Sequence, residues 1–398
     1  MTEERQVSPV QFTGTRGELF GILFRGYLLM LLTIGIYRFW VTTWKRRYYW
    51  QHTVIAGQPL EYTGSATQLL LGFLFALAIF LPIYVAFFYL STQTSDVVLW
   101  GYLVVAILFW FAQGYAIYRA RDFRLSRSLW RGIRFDQKGS AVRYAIRRFL
   151  WSLVVLVTCG LAYPFMATGL WRYRYNNTWY GNRRFGWTGT WKTFAGPYYL
   201  AWVAVVVLLI AATVLIAADL HPSGDMVLPG PVAILVGFAA SFGILLCWLY
   251  WRSREASRGF SAITVGEAGL KVRVKLRTLL GQGLLYALCS ILALIVFGGF
   301  AIGFVYSITG GAGGEAQDLA RIAQSSMLNV AILLVGYLFF LGAIGIFGEI
   351  FLGLGFWMTV ARGAVVLDAH SLDDVHATDE DAALAGEGLA DALNVGAF

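Results

Sequence analysis

Apolar positions along this chain gather into long runs, with polar and often basic stretches between them. Runs at about 69–90, 97–118, 198–218 and 231–251 are long enough to cross hydrocarbon about 30 Å thick. Further apolar stretches occupy about 19–41, 149–171, 279–306 and 328–361. Runs of this length predict helices, because strands of a membrane barrel are only about ten residues long and alternate in polarity. The polar stretches set an orientation. The segment 119–148 holds Arg121, Arg124, Arg127, Arg131, Arg134, Arg143 and Arg147, and 252–277 is again basic, whereas 91–96 and 219–230 contain no Lys or Arg. The positive-inside bias puts the first two in the cytoplasm and the other two outside, with both termini cytoplasmic.

The run 149–171 conflicts with a row of simple spans. It follows one basic segment and precedes another (Arg172, Arg174, Arg183, Arg184, Lys192), and the next run has to start from the cytoplasmic side. Its middle reads Thr158-Cys159-Gly160-Leu161-Ala162-Tyr163-Pro164. Gly permits a sharp turn and Pro removes a helix donor. The expectation is a re-entrant or interfacial helical hairpin; a kinked span is the alternative.

The same device lies about 125 residues earlier at Thr33-x-Gly35, and that offset also places Arg47 on Arg172, Thr53 on Thr178 and Thr63-Gly64 on Thr188-Gly189. A fainter third copy, at an offset of about 130, sets Gly139 on Gly269 and Cys159 on Cys289 but lacks the break residues. The expected organisation is membrane repeat 1 at 1–125, repeat 2 at 126–255, a degenerate repeat 3 at 256–367 and an acidic cytoplasmic tail at 368–398. Two excursions, His52–Tyr62 and Thr178–Trp187, read as strand, Gly turn, strand. The predicted fold class is an all-α polytopic integral membrane protein with small cytoplasmic β-hairpins. Its repeating unit is a broken helical hairpin plus two transmembrane helices.

The string Leu32-Thr33-Ile34-Gly35-Ile36-Tyr37-Arg38-Phe39-Trp40, followed by Lys45-Arg46-Arg47-Tyr48, resembles the YjgN family of bacterial inner-membrane proteins. So does Gly160-Leu161-Ala162-Tyr163-Pro164 with Asn177-Thr178 and Gly181. The resemblance covers about residues 10–370. One departure is Phe39, where the family's first motif often carries Pro. The resemblance implies an inner-membrane location, and it supplies no activity and no catalytic residues.

Composition agrees with a lipid environment. The chain is 58% hydrophobic and 13% charged, with mean hydropathy +0.64, against about a quarter charged in soluble domains. The net charge of +9 comes from Lys and Arg between apolar runs, so no nucleic-acid partner is expected. Membrane lipids with anionic headgroups are the expected partners, at about 1 kcal/mol for each nearby cation. The candidate headgroup-binding residues are Arg46, Arg47, Arg172, Arg174, Arg183 and Arg184. Homo-oligomerisation or a membrane-protein partner is left open.

Cys159, Cys247 and Cys289 lie inside apolar runs, and the four His show no metal-ligand spacing. No nucleophile elbow, phosphate loop or dinucleotide fingerprint is present. The expectation is no enzyme, no cofactor and no metal. The first twelve residues are polar and predict no cleavable signal peptide. Gly310–Gly314 reads as a flexible linker.

Ionisable groups inside apolar runs are few, and each costs about 2.5–3.5 kcal/mol at mid-bilayer. Glu349 is the foremost; its bland alternative is a turn between two short helices. The candidate pathway or hairpin-break residues are Thr33, Gly35, Thr158, Gly160, Pro164 and Glu349. Two functions fit. One is a small-solute or ion permease-like protein. The other is a non-transporting scaffold that binds anionic lipid or a protein partner through a basic, aromatic cytoplasmic face.

Overall fold

The computed structural model describes residues 7–92, 96–223, 226–309 and 327–377. The Gly310–Gly314 linker and the acidic tail beyond 377 lie outside the described residues. The chain divides into two compact units: Met1–Thr13, Trp50–Leu276 and Val360–Phe398 form one, and Gly14–Tyr49 with Arg277–Thr359 forms the other.

Both expected breaks are present. Helix α1 (Arg16–Leu32) turns into α2 (Arg38–Gln51), and α5 (Ala141–Val157) turns into α6 (Tyr163–Asn176). The two turns use the same chemistry. Thr33 Oγ1 donates to the Leu29 carbonyl at 2.8 Å and accepts the Tyr37 N–H at 3.1 Å. Thr158 Oγ1 donates to Val154 at 2.8 Å and accepts the Ala162 N–H at 3.2 Å. The chain then reverses through left-handed pairs, Ile34 and Gly35 (φ 50° and 85°) and Cys159 and Gly160 (φ 49° and 94°). Pro164 is buried in the first turn of α6, where its missing N–H leaves no bond unmade. The first break forms without a Pro at position 39, because the left-handed pair does the turning.

The remaining α-helices among the described residues are α3 (Ala66–Ser91), α4 (Asp96–Leu125), α7 (Trp191–Ala218), α8 (Pro231–Phe260), α9 (Leu276–Thr309), α10 (Met327–Phe347) and α11 (Leu354–Arg362). A π-helical segment, Gly348–Gly353, makes α10 and α11 one continuous stretch. Among the described residues, six helical stretches are long and apolar enough to cross a membrane: 66–89, 100–125, 191–218, 231–260, 276–307 and 327–362. At most 20% of any span's apolar window is buried by the protein itself, which leaves most of that surface for lipid. The run 328–361 is therefore one continuous helical stretch, long and apolar enough for a single span. The expected third copy contains no broken hairpin, since α9 runs uninterrupted through 279–306.

The strands overturn the all-α fold class. Four hairpins and the two chain ends close into a ten-stranded antiparallel barrel, in the order β1-β12-β11-β10-β7-β6-β5-β4-β3-β2. The strands are β1 (Val7–Phe12), β2 (Thr53–Ile55), β3 (Gln58–Tyr62), β4 (Ser128–Trp130), β5 (Ile133–Gln137), β6 (Thr178–Tyr180), β7 (Arg183–Trp187), β10 (Ile263–Val265), β11 (Ala268–Val272) and β12 (Ala364–Leu367). A separate pair, β8 (Leu220–Ser223) and β9 (Met226–Pro229), connects α7 to α8.

Isolated hairpins this short are marginal and leave strand edges unpaired, and closure removes every edge. One buried residue per strand forms a ring at the helix-connected end. Its paired members are Phe12 and Thr53, Tyr62 and Ser128, Gln137 and Thr178, Trp187 and Ile263, and Val272 and Ala364. Five backbone bonds extend the closure by one step. Thr13, Thr63, Lys138, Thr188 and Arg273 each donate to the residue preceding the next strand (His52, Arg127, Asn177, Ala262, Gly363) at 2.8–3.0 Å.

At the turn end the chain folds back after β12 through a 3-10 turn, Ala369–Leu372. Leu372 and Val375 are buried with Trp130, Tyr180, Val265 and Ala268. The Asn182 N–H donates to the His376 carbonyl at 3.1 Å, and the His376 N–H donates to Asn182 Oδ1 at 3.3 Å. Part of the acidic segment thus docks on the barrel, and Arg131 pairs with Asp373 there.

Candidate functional site

Glu349 lies in the π-helical segment of the unit formed by Gly14–Tyr49 and Arg277–Thr359. It is inside a continuous helix rather than at a turn. The wider π turn re-aims side chains and frees a carbonyl, a device often found at functional sites. Gln282 on α9 donates to the Gly355 carbonyl at 3.0 Å and to Thr359 Oγ1 at 3.2 Å, tying down the helix just beyond the π segment.

Two side chains of α2 hold the carboxylate. Lys45 Nζ donates to Oε2 at 3.0 Å, and the Tyr49 hydroxyl donates to Oε1 at 2.5 Å. Both are four residues apart on one helical face. Tyr49 also stacks on Trp357, with centroids 5.5 Å apart. A Cβ on Gly353 would come within 2.8 Å of Oε1, so glycine there makes room for the carboxylate. Burial first, and the Glu349 charge second, push the Tyr49 and Tyr27 hydroxyls above their ordinary pKa. Tyr49 therefore stays a proton donor. Tyr48 is pushed up to about 12 by burial and by its hydrogen bond to Glu18.

Beside this cluster lies an apolar cavity of about 650 Å³. Phe20, Phe24, Tyr27 and Leu31 of α1 form one wall, Leu338, Gly342 and Ile346 of α10 the other, and Ile34 and Gly35 of the break line it too. A Cβ on Gly345 would sit 2.4 Å from the Tyr27 hydroxyl, so the close approach of α1 to α10 requires glycine. Arg16 precedes Phe20 and Phe24 on the same four-residue ridge. Its guanidinium lies 5.3 Å from the Phe351 ring, and its Nε is buried without a hydrogen-bond partner.

The sequence candidates separate. Gly35 and Glu349 fall in one unit, at the cavity and at the ion cluster. Thr33 is spent on the backbone of the break. Thr158, Gly160 and Pro164 belong to the other unit, where Tyr198, Tyr199 and Trp202 of α7 donate to the carbonyls of Gly160, Leu161 and Cys159 at 2.8, 3.0 and 3.0 Å. Of the candidate headgroup residues, Arg46 is buried, Arg172 donates to the Gly189 carbonyl at 3.1 Å, and Arg184 donates to the Asn176 carbonyl. Arg47 and Arg183 are exposed, and Arg174 is half-buried over Trp171. Lys45, Tyr49 and Arg16 were not singled out from sequence. The available signals were Lys45 and Tyr49 at i, i+4 and the Arg16-Phe20-Phe24 ridge.

Six membrane-length helices and a closed barrel of short strands, counted among the described residues, define a polytopic helical membrane protein that also carries a β-barrel. The chain matches the bacterial family of unknown function DUF898 across residues 7–392 and belongs to it, in agreement with the YjgN resemblance. No curated protein and no solved structure matches the chain.

Proposed function

We propose that this is a lipid-binding scaffold of the bacterial inner membrane, with the barrel and both termini in the cytoplasm and no enzymatic activity. The carrying observation is the cavity between α1 and α10. Its walls are apolar, and the ridge from Phe20 to Leu31 is about 17 Å long at 1.5 Å per residue. One leaflet of hydrocarbon is about 15 Å, so an acyl chain fits along it. Arg16 stands at the end of the same ridge as the cation for an anionic headgroup.

Native mass spectrometry of the protein extracted with its lipids tests this. One retained phospholipid per chain is expected. Gly342→Phe should displace it without changing helical content. Absence of retained lipid, or equal retention in the blocked variant, would refute the reading.

Internal duplication accompanies this proposal. The bounds of α1 and α5, α2 and α6, β2 and β6, and β3 and β7 lie 125 residues apart. Those of α4 and α8, β4 and β10, and β5 and β11 lie 135 apart. The ten-residue difference equals the span Leu220–Pro229, the β8–β9 pair inserted between α7 and α8.

A second reading, an ion-coupled permease, is favoured by one observation: Glu349, in the π-helical segment of a stretch long and apolar enough to span a membrane, forms an ion pair with Lys45. Flux into liposomes that depends on Glu349 and is abolished by Glu349→Gln would select it over the scaffold.

A further inference from the structure

In the barrel-containing unit, two arginines converge without a counter-ion. Arg121 on α4 donates through Nη1 to Gln137 Oε1 at 2.6 Å, to Thr178 Oγ1 at 2.9 Å and to the Arg174 carbonyl at 3.5 Å. Its guanidinium lies 4.7 Å from the Tyr175 ring. Arg174 on α6 is within electrostatic reach of Arg121 and packs 5.2 Å from the Trp171 ring. Among the described residues neither is bonded to a carboxylate.

The donors around them are incompletely used. Gln137 is 5% exposed and belongs to the buried ring of the barrel, opposite Thr178. Its Oε1 is taken by Arg121, and its buried Nε2, with the Tyr118 hydroxyl as a neighbour, makes no well-formed hydrogen bond. Arg174 Nε is buried without an acceptor as well. Each unmet buried donor is destabilising. A buried cation pair without an anion is costlier still. A water molecule would answer the donors but not the charge. An oxyanion answers both, and the planar guanidinium fork matches tetrahedral phosphate oxygens.

We propose that Arg121, Arg174 and the Gln137 amide form a binding site for a phosphate-type oxyanion, supplied by a lipid headgroup or by free phosphate. The site uses residues of the barrel unit alone, so it stands or falls separately from the α1–α10 cavity. Arg121 also braces three neighbours, so its own replacement would confuse binding with folding. Gln137→Glu and Arg174→Gln are the informative changes. The first replaces the amide donor with a carboxylate beside Arg121.

The experiment is thermal unfolding of the purified full chain in two arms. One titrates inorganic phosphate against chloride at matched ionic strength in neutral detergent. The other compares nanodiscs of phosphatidylcholine with and without phosphatidic acid. Saturable stabilisation is expected in at least one arm. A response to phosphate identifies the free anion, and a response to phosphatidic acid alone identifies the headgroup. Binding should weaken at least tenfold in Arg174→Gln. The response should vanish in Gln137→Glu, which should itself melt higher than the native chain without added anion. If Gln137→Glu does not fold, Gln137→Met removes the same donor and should also lose the response. No stabilisation in either arm, or a shift that survives both substitutions, overturns the proposal.

Discussion

Lys45 and Glu349 meet at 3.0 Å although 304 residues separate them in sequence. The contact joins α2 to the π-helical segment, with each side chain about one-fifth exposed (24% and 21%). Removing either partner leaves a charge short of its counter-charge at a poorly hydrated position. Lys45→Ala or Glu349→Ala should each destabilise by about 1–3 kcal/mol, below the about 3–5 expected of a fully buried pair. The double variant should lose less than the sum of the two. Thermal melts of all four forms in one detergent provide the cycle, and strict additivity would show that the two groups are not coupled.

The two breaks should respond differently to a methyl group. Gly35 and Gly160 both have positive φ, but a Cβ at Gly35 meets nothing within 4 Å, whereas one at Gly160 meets Trp202 Nε1 at 3.0 Å and the Tyr198 hydroxyl at 3.1 Å. Gly35→Ala should cost only the backbone strain, about 1 kcal/mol. Gly160→Ala should cost more, because it also displaces the side chains that bond the break's carbonyls. Melting temperatures of the two variants, ranked against the native chain, test the order.

Gly181 has no room for a side chain, since its Cβ would lie 2.2 Å from the His376 carbonyl. Gly181→Ala should therefore release residues 370–376 from the barrel's turn end while leaving the barrel closed. Hydrogen exchange at the amides of Asn182 and His376 should rise at least tenfold, with no comparable change at Thr13 or Thr188. Unchanged protection at His376 would mean that the segment is not held by this turn.

Acid should loosen the same segment. A hydrogen bond from His370, and then the Arg131 guanidinium, hold the Asp373 carboxyl below its ordinary range. A carboxylate with a lowered folded pKa contributes stability that is complete above its unfolded value of about 4. That contribution is lost as pH falls through the lowered folded value. Protection of His376 should be steady from pH 7 to 5 and fall below about 4. Asp373→Asn should remove the acid dependence, leaving a constant, lower protection.

Much of the helical layer was legible in the sequence. Apolar runs long enough to cross a bilayer gave the spans, and Thr-x-Gly in the middle of a run gave both breaks, because a left-handed glycine acts within a few residues of itself. Two of the four hairpins were legible for the same local reason. The hairpins at Ser128–Gln137 and Ile263–Val272 were missed. The first was absorbed into a basic loop, and the second lacks the aromatic and Gly-Asn signals of its counterpart at Thr178–Trp187.

What the sequence by itself determined is the set of elements whose cause is local: helices from continuous apolarity, breaks from Thr and Gly, hairpin turns from glycine. Only the tertiary structure decided that ten short strands close on one another, that β1 pairs with β12, and that Lys45 and Tyr49 reach Glu349. Strands of three to six residues carry too little side-chain information to name a partner across intervening helices. Their pairing is settled by closure, which leaves no edge unbonded, and closure is a property of all ten strands together.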